Sequence, residues 1–112
     1  MSYRRNNQYG IRVGEKEIDE IKPVIEFSTM NNESKEMCIS KAKDAMRAVG
    51  DSNINYYKKL AKKLKLDLEA EKNETWNVVV GSDYGAYLAF EKAYLIYFRL
   101  NELYFLIFRF GA

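Results

Sequence analysis

The sequence predicts an α+β fold in which two helices pack on an antiparallel sheet. The last third of the chain reads as four short apolar runs, 75–80, 84–89, 93–99 and 103–109, separated by turn residues. Upstream, two stretches repeat apolar residues at spacings of three and four, the period of a helix with one buried face. One further short strand-like run, 23–27, precedes them. Strand, helix, helix and then four strands is an order that segregates helices to one side of a sheet.

At 112 residues the chain makes one domain, expected as a flexible N-terminal arm over 1–22 and a folded unit over 23–112. The arm is polar and mixed in charge, with Gly10 and Gly14 and no sustained period. Eighteen basic and sixteen acidic residues leave a net charge of +2, too even a balance for a general pull toward nucleic acid or an anionic membrane. Without histidine there is no imidazole base and no histidine ligand; with only Cys38 there is no internal disulfide and no Cys-rich zinc site. One unpaired thiol suits a reducing, intracellular compartment. The N-terminal stretch has no signal-peptide core, and the apolar runs 93–98 and 103–108 are far too short to span a bilayer.

Each element has its own signal. Pro23 opens the first strand, which marks an edge position because proline cannot donate to a ladder. Asn31 or Asn32 caps the first helix, Glu33 and Glu36 suit its first turn, and Cys38, Ala42, Ala45, Met46 and Val49 share its buried face until Gly50 ends it. The second helix starts between Asp51 and Asn55, with a stripe of Tyr57, Leu60, Ala61, Leu64 and Leu68. Lys58, Lys59, Lys62, Lys63 and Lys65 lie mostly off that stripe. They read as a solvated face rather than an RNA site, since no aromatic residue interleaves for base stacking and acids follow at once. In the run 93–99, Tyr94, Ile96 and Phe98 share one face and Leu95, Tyr97 and Arg99 the other. Both faces are largely apolar, so helices cover one and something else must cover the other.

No catalytic constellation emerges. The pair Gly81 and Gly85 is followed by a strand and no Lys-Ser/Thr, so it is not a phosphate loop. Carboxylates are scattered, and Cys38 sits on an apolar helix face, where it reads as core. No enzyme activity, metal or cofactor is expected.

The motifs Asn73-x-Thr75-Trp76, Val80-Gly81, Tyr84-Gly85-x-Tyr87, Ile96-Tyr97-Phe98 and Phe108-Arg109-x-Gly111 resemble the small, roughly eight-kilodalton dimeric hub type of dynein light chain. The likeness spans residues 24–111 in the same element order, with an insertion near 49–53. It implies a strand-exchanged dimer in which the strand at 84–89 crosses to the partner's sheet and then offers its free edge to an extended target segment. Backbone bonds then supply affinity and side-chain pockets supply choice. Two symmetric grooves make such a dimer bivalent.

Carried over from the resemblance, the groove strand is Ser82, Asp83, Tyr84, Gly85, Ala86, Tyr87, Leu88, Ala89 and Phe90. The floor is Leu95, Tyr97, Arg99, Tyr104 and Leu106, and the helix wall is Asn55, Tyr56, Tyr57 and Lys58. Asn77, Tyr84, Tyr87 and Leu88 fall at the dimer interface. The chain departs from the family pattern at several of these positions. Tyr57 stands where the family has a glutamate that reads a target glutamine; Ala86, Ala89 and Phe90 replace Ser, Thr and His; Arg99 replaces a tyrosine and Tyr104 an alanine. Asn77 replaces an interface histidine whose protonation splits family dimers, so that acid switch is expected to be absent.

The resemblance therefore implies a non-catalytic dynein light chain acting as a dimerisation hub on dynein intermediate chains, as a homodimer or with another dynein light chain. The setting is cytoplasm and cytoskeleton, with an axonemal role in a cilium or flagellum as a specialised form. No nucleic acid and no membrane partner is expected. The alternative is a hub for other disordered proteins, independent of dynein. In a third reading Tyr87, Tyr97 and Tyr104 are simply core, and Tyr104 with Arg99 closes the floor.

Overall fold

The computed structural model describes residues 15–50, 55–82 and 93–110. Its elements run α1 (Glu15–Glu20), β1 (Val24–Ser28), α2 (Asn32–Val49), α3 (Tyr56–Lys72), β2 (Asn77–Gly81), β3 (Ala93–Leu100) and β4 (Leu103–Phe110). The four strands form one antiparallel sheet in the order β1-β3-β4-β2. The run 84–89, expected as a further strand, lies outside the described residues.

α2 starts and stops where its sequence says. The Asn31 side chain accepts from the Ser34 N–H at 2.8 Å, satisfying one of the donors that a helix start leaves bare. Gly50 closes the other end at φ +73°, a backbone value that side chains disfavour, and its N–H bonds the Met46 carbonyl. Cys38, Ala42, Ala45 and Met46 are buried along one face. The Cys38 thiol is pushed up to about 12 by burial, and its Sγ lies 3.8 Å from the Met30 sulfur. Burial favours its protonated form, and it packs as a core thiol.

α3 begins at Asn55, which takes a left-handed φ of 57°, and ends at Asn73, also left-handed, whose N–H bonds the Glu69 carbonyl. Leu60, Leu64 and Leu68 are fully buried at strict four-residue spacing. The stripe expectation fails at Tyr57, which is 40% exposed. Continuing the four-residue row backward from Leu60 reaches residue 56. Tyr56 takes the inward place, packed against the core, and Tyr57 turns out to solvent.

Part of the segment expected as an arm is folded. α1 is short, yet Ile18 and Ile21 are buried in the main core. Lys43 on α2 donates to the carbonyls of Asp19 (3.2 Å) and Ile21 (2.8 Å), and Arg47 pairs with the Asp19 carboxylate. Two cations of α2 thus take up the carbonyls and carboxylate at the end of α1. Residues 1–14 lie outside the described residues.

The sheet's two faces differ. The register Tyr94↔Arg109, Ile96↔Ile107, Phe98↔Phe105 and Leu100↔Leu103 puts these pairs on the side that packs under α2 and α3. Phe98 and Phe105 stack with centroids 5.2 Å apart, and both are fully buried. Asn101 at φ 56° makes the two-residue connection between β3 and β4 possible. The alternate residues form a second, separate cluster on the side away from the helices.

Candidate peptide-binding face

That second cluster contains Leu95, Tyr97 and Leu106 of the expected groove floor. Leu95↔Phe108, Tyr97↔Leu106 and Arg99↔Tyr104 face each other across β3 and β4, and β2 adds Asn77, Val79 and Gly81 opposite Phe108, Leu106 and Tyr104. Leu95 and Leu106 are 2% exposed and pack with Val79, Tyr97 and Phe108. Tyr97 and Tyr104 stack at 5.8 Å. The five floor residues therefore do come together, because period-two strands in this register leave them no other face.

Arg99 sits at the end of this floor. Its Nη1 donates to the Asn101 carbonyl at 3.1 Å, and its guanidinium lies 5.9 Å from the Tyr104 ring centroid. The Glu26 carboxylate is 4.0 Å from its Nε, too far for a hydrogen bond, and the Nε has no partner. Asn77, expected at the dimer interface, is half-buried and donates its amide to the Phe108 carbonyl at 3.4 Å.

The wall residues do not join the floor within one chain. Asn55, Tyr56, Tyr57 and Lys58 open α3, and α3 packs on the opposite face of the sheet through Leu60, Leu64 and Leu68. Asn55, Tyr57 and Lys58 are exposed, and Tyr56 and Tyr57 are 6.0 Å apart between ring centroids. Ser82 is exposed just past β2. The remaining groove-strand and interface residues, Asp83, Tyr84, Gly85, Ala86, Tyr87, Leu88, Ala89 and Phe90, lie outside the described residues.

Two features that fix the site's scaffold were not read from the sequence. Glu69 accepts the Trp76 N–H (3.1 Å), while Lys65 donates to both Glu69 (2.7 Å) and the Trp76 carbonyl. This clamp ties α3 to the entry of β2. The Lys65 side chain, then the Trp76 amide, hold the Glu69 carboxyl below its usual range. The signal was present as Lys65 and Glu69 at i,i+4. Lys63 likewise pairs with Asp67 at 3.2 Å, so both lysines are engaged along their own helix rather than presented to a polyanion. Secondly, Arg109 lies over the rings of Tyr94 (4.7 Å) and Trp76 (5.5 Å) and beside Glu74 (3.7 Å), closing the helix-side core at its end.

Among the described residues no cluster of three or more potential metal ligands occurs, and no helix is long and apolar enough to cross a membrane.

The arrangement defines a class: a helix-backed antiparallel sheet with an apolar outer face and a strand, β2, at its edge among the described residues. The family model described as dynein light chain type 1 matches residues 22–110, and the chain belongs to the dynein light chain family. It is 31% identical over 88 residues to the cytoplasmic dynein light chain 1 of Kluyveromyces lactis, covering 79% of this chain and 95% of that one. It is 29% identical over 87 residues to the Saccharomyces cerevisiae protein of the same name, covering 78% and 89%. Among solved structures, the dynein light chain-like domain of the Fasciola hepatica calcium binding protein FhCaBP2 superposes with a TM-score of 0.69 at 19% identity, covering 84% of this chain and 96% of that one.

Proposed function

We propose that this chain is a non-catalytic light chain of a dynein complex, which dimerises and holds intermediate chains by strand addition in the cytoplasm and cytoskeleton. One observation carries the reading. The wall residues of α3 and the floor residues of β3 and β4 stand on opposite faces of one sheet. A single protomer cannot bring them to one groove; a second copy, contributing its floor to the first copy's wall, can. The exchange strand at 84–89 would add to the β2 edge, and its own outer edge would take the target segment. The hub is the folded unit, which α1 joins through Ile18 and Ile21 rather than standing apart from it as an arm.

Titration of purified protein with peptides spanning dynein intermediate chains tests this. Saturable binding of one peptide per protomer is expected, lost when Tyr57 and Lys58 are both changed to alanine. Absence of binding across the whole set would refute the dynein assignment. The second reading, a hub for disordered partners outside dynein, is favoured by Tyr57, Arg99 and Tyr104, whose departure from the family pattern points to another target sequence. Recovery of no dynein chains in affinity purification, with binding of other extended segments, would select it. An axonemal light chain is a special case of the first reading, and localisation of the tagged chain along the axoneme tests it.

A further inference from the structure

We infer that the groove selects an extended segment carrying a carboxylate, and that Arg99 is the residue that reads it. This rests on the composite groove proposed above. Arg99 is the sole charged side chain that the register places on the outer face of β2, β3 and β4 among the described residues. Its guanidinium is already positioned, with Nη1 held by the Asn101 carbonyl and its carbon 5.9 Å from the ring centroid of Tyr104, which in turn stacks on Tyr97. Holding the fork in advance reduces the order a ligand must impose.

Its own acidic neighbour satisfies it poorly. Glu26 approaches no closer than 4.0 Å, the pair is partly exposed at both ends, and the Nε is shielded from solvent without an acceptor. Exposed pairs at such distance contribute little and exchange readily. An incoming Asp or Glu accepting two parallel N–H bonds would displace Glu26 and satisfy the donor. The wall points the same way. The first turn of α3 has no acid, and Tyr57, Lys58, Lys59 and Lys62 are exposed. Among the described floor and wall residues the charged side chains are Arg99 and Lys58, both cationic, which complement an acidic segment.

Selection from a phage-displayed library of random linear peptides tests the inference, using the full chain, Arg99→Gln and Arg99→Lys. The parent chain is expected to enrich Asp or Glu at one fixed position of an otherwise apolar pattern. Arg99→Gln should keep the apolar pattern and lose the acid, and Arg99→Lys should keep the acid with weaker binding. A synthetic peptide from the parent pool should bind the parent chain roughly tenfold better than its Asp→Asn or Glu→Gln counterpart, and bind Arg99→Gln equally in both forms. Enrichment without a fixed acid, or an acid preference that survives in Arg99→Gln, would overturn the role of Arg99. Failure of the parent chain to enrich any peptide would instead reject the groove itself, and the inference with it.

Discussion

The two faces of the sheet are built from the same kinds of residue and end differently. Beneath the helices, Phe98, Phe105, Ile96 and Ile107 reach complete burial because α2 and α3 bring Leu60, Leu64, Leu68 and Met46 onto them. On the other side, Leu95 and Leu106 head a smaller cluster whose rim, Val79, Tyr97 and Phe108, stays half-buried. The difference is one of coverage rather than hydrophobicity. An apolar surface that a domain's own elements leave incompletely covered is a place for a partner. The helix face holds the main core, and the outer face is the one proposed to meet a partner.

Breaking the first face should have the largest effect. Phe98→Ala removes a stacked, fully buried ring and is expected to cost about 3–5 kcal/mol, measured by urea denaturation. A loss near zero would show that the helix side is not the core. Breaking the second face should separate stability from assembly. Val79→Asp places a charge on the half-buried outer surface, and should convert a dimer to monomers in light scattering while leaving the helical circular dichroism in place. Unfolding instead would mean that the outer cluster belongs to the protomer's own core.

The clamp between the helix layer and the sheet gives a smaller, pH-dependent effect. The Glu69 carboxyl titrates lower in the folded protein than its usual 4.5. The unfolded chain therefore binds the proton more readily, so the contribution is present above about 4.5 and fades as pH falls through the lower folded value. Glu69→Gln should be modestly less stable at pH 7 and should lose part of the parent's acid sensitivity, compared by thermal melts from pH 7 downward. The smallest expected effect is none. With Asn77 at the proposed interface position and no histidine in the chain, the mass of the proposed dimer should not change between pH 8 and 5.5. Dissociation with a midpoint in that range would require a titrating group that this account lacks.

Much of this was legible in the sequence, and the misses share a cause. α2 was readable to within one residue, with Asn31 or Asn32 as cap and Gly50 as stop, because these are local signals with local chemistry, and Asn31 is the cap observed. The alternation in residues 93–99 forecast which of its side chains would share a face, and the observed register keeps it. α1 was not readable: six residues carry too little period, and their fold depends on Lys43 and Arg47, more than twenty positions away. Tyr57 was misplaced because two adjacent tyrosines offer equal hydrophobicity, and only the row through Leu60 decides between them. The candidate site residues came from the family resemblance as a list, and the structure adds where the described ones stand in the fold. The alternation showed that one face would be left without helices, but not which one; the structure places α3 opposite the candidate floor, the observation on which the proposed second copy rests.

Light scattering of the purified chain at micromolar concentration tests that requirement most directly. A mass twice the chain's 13.1 kDa is expected, falling toward the single value on dilution or with Val79→Asp. A mass of 13.1 kDa for the parent chain across that range, with peptide binding intact, would contradict it, because one protomer would then be presenting wall and floor together.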